Sequence, residues 1–143
     1  MKSTLLIAEG DAELCGIYEK FLTERGYGVE TALDGLTCLA KLRRAMPAVL
    51  VLDRELRWGG GDGVLAWLRE QRAAPGVPVV LTTTGGCSVD VAKDIKPPVV
   101  KFLPKPFTLT ALLDSVRAAV AEKRREKPFY LNHAARCSGF FLG

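Results

Sequence analysis

The chain has 143 residues and a mass of 15.5 kDa, with 48% hydrophobic and 25% charged residues, which is one globular domain's worth of ordinary sequence. That composition excludes a wholly disordered chain, a collagen-like repeat and a disulfide miniprotein, and no apolar run approaches the roughly 18 residues that a membrane span needs. The net charge of +4 gathers at the C-terminus, where Lys123, Arg124, Arg125, Lys127 and Arg136 outnumber Glu122 and Glu126.

In chain order, Leu5-Leu6-Ile7-Ala8 is a short apolar run without alternation, as expected of a strand buried on both faces. It meets Glu9 at once and is too short for a secretory leader, so a cytoplasmic protein is expected. Leu14, Ile17, Tyr18, Phe21 and Leu22 recur at helical spacing behind an Asp11 N-cap, and Gly26 ends that helix. Val29–Ala32 reads as a second strand. Asp34-Gly35 turns into a helix with Leu36, Leu39 and Ala40 inside, closing before Pro47. Ala48–Leu52 is a third strand that stops at Asp53.

The stretch Trp58-Gly59-Gly60-Gly61-Asp62-Gly63 predicts a flexible loop with Trp58 as a lid or contact residue, and Val64, Leu65 and Leu68 mark the helix beyond it. Val77–Leu81 is a strand running into Thr82-Thr83-Thr84. A weak helix around Ser88–Ile95 is stopped by Pro97-Pro98. Val99–Leu103 is the fifth strand, followed by Lys105-Pro106-Phe107. Leu109, Leu112, Leu113, Val116 and Val120 then make an amphipathic helix to about Arg125. The chain thus divides into a domain at 1–125 and a tail at 126–143. Cys15, Cys38, Cys87 and Cys137 lie too far apart for a disulfide framework or a zinc site.

Five βα repeats with apolar strands predict an α/β fold: a five-stranded parallel sheet with helices on both faces. Ligands of such sheets bind beyond the carboxyl ends of the strands. Those ends carry Glu9 and Asp11, then Asp53, Thr83 and Lys105. Carboxylates that converge there suit a hard divalent cation such as Mg2+, and a lysine with a hydroxyl opposite suits a phosphoryl group. An aspartate beside a metal can also be the nucleophile that takes phosphate up.

These residues, in this order on these elements, resemble the receiver domains of bacterial two-component response regulators. The likeness runs from about Ser3 to Arg125 and includes Tyr27-Gly28-Val29, Ala32-Leu33-Asp34-Gly35 and the 22-residue step from Thr83 to Lys105. It implies a flavodoxin-like (βα)5 sheet of strand order 2-1-3-4-5 and a signalling receiver, not an enzyme. Asp53 would accept a phosphoryl group from a histidine kinase or phosphotransfer protein. Mg2+ would be held by Glu9, Asp53 and the Glu55 carbonyl. Lys105 would pair with phosphoryl oxygens, and Thr83 and Phe102 would form the switch. An effector protein would read the face of the fold's fourth helix, fifth strand and fifth helix.

Three departures from the family are visible. Gly10 stands where a metal-binding aspartate is usual, which weakens Mg2+; a water can fill the gap, or Glu55 can swing into it or repel phosphate. Arg57 replaces a proline in a loop that reads longer than usual. Gly85-Gly86 and Pro97-Pro98 leave room for only about two turns of the fourth helix, which implies a changed partner surface, and Thr84 beside it replaces a small residue and crowds the phosphoryl site. Either phosphorylation survives these changes, or this is a degenerate receiver that binds partners without phosphate. The tail is too short for a DNA-binding domain, so a free-standing or excised receiver is expected, off the membrane and with a homodimer left open. Its aromatic residues are expected to pack on the domain. An Asp-x-Asp phosphatase would need a second aspartate at position 55, and a flavin protein a phosphate loop where Glu9 and Asp11 stand.

Overall fold

A computed structural model of the chain describes residues 2–58, 60–71, 76–84 and 96–136, of which 123–136 are described as backbone only. Its elements are β1 (Thr4–Ala8), α1 (Ala12–Glu24), β2 (Gly28–Ala32), α2 (Gly35–Arg44), β3 (Val49–Asp53), α3 (Gly60–Glu70), β4 (Val79–Thr83), β5 (Val99–Pro104) and α4 (Leu109–Arg136). The five strands form one parallel sheet in the order β2-β1-β3-β4-β5. This is the flavodoxin-like arrangement expected from the sequence. The predicted helix at Ser88–Ile95 lies outside the described residues. Among those residues no helix is long and apolar enough to cross a membrane.

The central strands β1, β3 and β4 are largely apolar because both sides of the sheet are covered there. Successive residues of a strand point to opposite faces, and β1 divides accordingly. Leu6 and Ala8 join Leu50, Leu52, Val79 and Leu81 in a core closed by Cys38 and Leu42 of α2 and Val64, Leu65 and Leu68 of α3. Leu5 and Ile7 join Val49, Val51 and Val80 in a second core closed by Tyr18 and Leu22 of α1 and Leu112 and Val116 of α4. At about 25 cal/mol per Å² of apolar surface, these two layers supply the main driving force for the fold.

The helix ends follow from their caps. Asp11 Oδ1 accepts from the Glu13 and Leu14 N–H groups, and Gly26 takes φ +97° just beyond α1. Asp34 Oδ1 caps α2 through the Thr37 N–H at 2.7 Å. The capped start of α2 also corrects the face expected for that helix. Gly35 is buried, its N–H donating to the Arg57 carbonyl at 2.7 Å, and the inward stripe becomes Gly35, Cys38 and Leu42. One residue on, about 100° round the helix, Leu36 is 65% exposed, and Ala40 also faces outward. Ile17 is likewise exposed, its place on α1 taken by Cys15.

Of the glycines expected as loop, Gly61 serves a close approach within a helix. Helix α3 already starts at Gly60. A Cβ at Gly61 would lie 2.7 Å from the Arg54 Cα, and the Gly61 N–H donates to the Arg54 carbonyl at 3.2 Å. Trp58 sits between the two anchored glycines 35 and 61 with φ +56° and 70% exposure. At the other end of the chain, α4 continues past Arg125 to Arg136, so the division expected at residue 126 falls inside a helix. Glu122–Lys127 has lost the apolar period but consists of good helix formers, which is enough to carry the backbone on.

Candidate functional site

Three of the expected residues meet at the carboxyl ends of β1, β3 and β5. Glu9 leaves β1 with its N–H donating to the Ala32 carbonyl at 3.0 Å, and it is 3% exposed. Asp53 ends β3 and is 6% exposed. Lys105 follows β5, where its N–H donates to the Thr83 carbonyl at 2.8 Å and the Lys105–Pro106 peptide is cis. Phe107, two residues on, stacks on Tyr18 of α1 with ring centroids 5.4 Å apart and fixes this connection to the domain.

The side chains form a charged triad. Lys105 Nζ donates to Glu9 Oε2 at 2.7 Å and lies 3.5 Å from Asp53 Oδ2. The other Asp53 oxygen, Oδ1, accepts from the Glu55 N–H at 2.9 Å. Burial pushes the Asp53 carboxyl above the usual aspartate range; the Glu55 N–H and the Lys105 ammonium oppose this, and the Glu9 charge adds to it. Burial works against the Lys105 charge, yet the Glu9 and Asp53 carboxylates outweigh it and raise the ammonium pKa. The result is a carboxylate with one donor on each oxygen, set in a cleft of about 580 Å³ with Glu9, Gly10 and Trp58 in its wall.

Thr83 is fully buried at the end of β4, and its hydroxyl is directed to an unexpected partner. Thr83 Oγ1 donates to Glu55 Oε2 at 2.6 Å. Glu55 Oε1 accepts from the Thr84 N–H at 3.0 Å and from Thr84 Oγ1 at 3.3 Å. Burial pulls the Glu55 carboxyl upward, but the Thr83 and Thr84 donors prevail and set it below the ordinary glutamate range. The Glu55 side chain is therefore turned toward β4, not into the space beside Gly10. Thr84, expected only to crowd this place, supplies two donors. That role depends on the path of residues 54–58, which no motif encodes. Phe102, the expected aromatic partner of Thr83, is half-buried against the core on the α2–α3 side.

Gly10 is not enforced by crowding. A Cβ there would meet only the Leu33 carbonyl oxygen, at an ordinary 3.7 Å. What the glycine removes is a carboxylate, and the neighbouring Asp11 does not replace it, because its Oδ1 caps α1. Among the described residues no three His, Cys, Asp or Glu side chains are grouped to hold a metal. Glu9 and Asp53 remain, both against Lys105. One or two carboxylates with several retained waters are the usual protein share of a Mg2+ site, so the residues fit that ion as a weak site.

The model of the response regulator receiver domain matches residues 5–117. The chain belongs to the receiver domain family. Transcriptional regulatory protein TctD of Salmonella typhimurium is 34% identical over 114 residues, which is 80% of this chain and 50% of that protein. GlrR of Escherichia coli, also a transcriptional regulatory protein, is 30% identical over 118 residues, 82% of this chain and 26% of that protein. The receiver thus spans half or less of the curated relatives it matches. Among solved structures, the signal receiver domain of a Luxo repressor protein from Vibrio parahaemolyticus superposes with a TM-score of 0.79 at 25% identity, covering 90% of this chain and 98% of that one. A CheY-like receiver from Methanospirillum hungatei shares the fold with a TM-score of 0.81 at 21% identity, covering 88% and 99%.

Proposed function

We propose that this receiver takes a phosphoryl group onto Asp53 from a phosphohistidine of a kinase or phosphotransfer protein and passes the change to a protein partner. The observation that carries the reading is the fixed geometry of Asp53: Oδ1 is held by the Glu55 N–H, and Oδ2 lies beside Lys105. A carboxylate oriented this way attacks phosphorus as the N–P bond of the donor breaks, and the departing imidazole takes a proton from solvent. Catalysis of this kind is chiefly positioning and charge stabilisation.

Lys105 balances charge as the phosphoryl group arrives, exchanging part of its hold on Glu9 for phosphoryl oxygens. Mg2+, held by Glu9, Asp53 and the Glu55 carbonyl, would supply a further positive charge against the developing oxyanions. The Thr83 hydroxyl and Phe102 are the parts through which the new charge would reach the surface. The expected effector face is only partly described, since residues 85–95 lie outside the described residues. A cytoplasmic setting with a histidine kinase is the natural context for this chemistry.

Intact-mass measurement after incubation with acetyl phosphate, with and without Mg2+, tests the reading, with Asp53→Asn as control. One phosphoryl addition that needs both Mg2+ and Asp53 is the expected result. No addition at any Mg2+ concentration would overturn it in favour of a second reading, a phosphate-independent binding module. Gly10 and the engaged Glu55 carboxylate are what favour that alternative.

A further inference from the structure

Three donors on two adjacent residues converge on a single carboxylate: the Thr83 hydroxyl on one oxygen of Glu55, and the Thr84 N–H and hydroxyl on the other. The pair of oxygens in a carboxylate spans much the same distance as two terminal oxygens of a phosphoryl group. Glu55 also starts from the acceptor itself, since its own N–H donates to Asp53 Oδ1 at 2.9 Å. One residue therefore touches Asp53 with its backbone and the end of β4 with its side chain.

We propose that the Glu55 carboxylate is a built-in occupant of the oxyanion-recognition donors of Thr83 and Thr84, in the place an incoming phosphoryl group on Asp53 would use. This rests on the reading of Asp53 as phosphoacceptor. Two consequences follow from the geometry. Thr83 is already drawn into the site before any phosphoryl transfer, so its hydroxyl is not free to sample other directions. A phosphoryl group arriving at Asp53 has to displace Glu55 before it gains these donors, and a second anion confined beside it raises the cost. Thr84 is the specificity element of the arrangement: its hydroxyl adds a donor that a small apolar residue at this position would lack.

The test uses the full chain with wild-type sequence, Glu55→Ala and Glu55→Gln. The first readout is the Thr84 amide in proton–nitrogen NMR spectra without phosphodonor. A strong bond to a carboxylate places its proton downfield and protects it from exchange. Glu55→Ala is expected to move it upfield and speed its exchange while amides of β1 and β3 stay in place; Glu55→Gln, which keeps one carbonyl acceptor, is expected to fall between. A Thr84 amide unmoved in Glu55→Ala overturns the proposal whether or not Asp53 is ever phosphorylated.

The second readout is the initial rate of labelling by acetyl phosphate in Mg2+. Removing a competitor held by several hydrogen bonds, each contributing on the order of a few-fold, is expected to raise the rate of Glu55→Ala by up to about tenfold. A rate unchanged or lowered, with the amide moved, overturns the competition. If the amide moves but none of the three proteins is labelled, the occupancy of the donors stands and the phosphoacceptor reading fails.

Discussion

The two halves of the site differ in how their charges are settled. On the β1–β3 side, Glu9 and Asp53 share one ammonium, Lys105, and each carboxylate also accepts a backbone N–H, from Asp11 and Glu55 respectively. On the β4 side, the donors of Thr83 and Thr84 are met by a carboxylate that comes from the loop after β3. The first half is assembled around the Asp53 carboxylate, the proposed acceptor, and it lacks a carboxylate at Gly10. The second is assembled around a recognition surface that already has an occupant. On the proposed reading, a receiver keeps its acceptor while altering what acceptance requires.

Removing Lys105 breaks the first half most severely. Lys105→Ala leaves two buried carboxylates facing each other, and the cost is expected near the lower end of roughly 3–5 kcal/mol because the pair opens onto a cleft. Urea unfolding measures it, and labelling by acetyl phosphate should fall to background. A loss under 1 kcal/mol would mean that the triad is solvated like a surface ion pair.

Gly35→Ala tests the second half through its scaffold. A Cβ there collides with the Trp58 carbonyl oxygen, so the segment that positions Glu55 has to shift. The expected destabilisation is about 1–3 kcal/mol, accompanied by movement of the Thr84 amide. Gly10→Asp restores the missing carboxylate where there is room for it, and Mg2+ affinity is expected to rise on the order of tenfold. Isothermal titration with Mg2+ checks this; no gain would mean that Lys105 keeps Glu9 from the ion.

The smallest effect concerns neighbours on β4. Thr83 donates to Glu55, while the Thr82 hydroxyl is buried with no hydrogen-bond partner among the described residues. Thr82→Val is expected to raise stability by up to about 1 kcal/mol with no change in labelling. Thermal unfolding and intact mass would show it, and a stability loss would point to an uncounted partner for that hydroxyl.

Much of this molecule was legible because apolar strands ending in a polar residue announce both the element and its business end. Asp53 after Val-Leu-Val-Leu and Lys105 beyond Val99–Leu103 are instances. Leu36 is misleading because hydrophobicity alone carries no record of the phase set by the Asp34 cap, which turns Gly35 and Cys38 inward instead. Burial lifts the Cys38 thiol to about 12, so a residue read only for its chemistry is a filler of the core. The end of α4 was misplaced because apolar period marks where a helix packs, not where it stops. The direction of Glu55 had no sequence signature, since it depends on a rotamer and on the Trp58 turn at φ +56°.

The alternation along β1 has a consequence for how the domain comes apart. Leu5 and Ile7 belong to one core and Leu6 and Ala8 to the other, and β3 and β4 are divided in the same way. Neither helical layer can detach without stripping strands that the opposite layer also needs. Amides of β1, β3 and β4 are therefore expected to exchange with deuterium only through whole-molecule opening, while those of β2, whose outer residues are half-covered, open earlier. Cooperativity here is a property of parity: one chain direction, read in odd and even residues, ties two oily layers into a single unit that melts once.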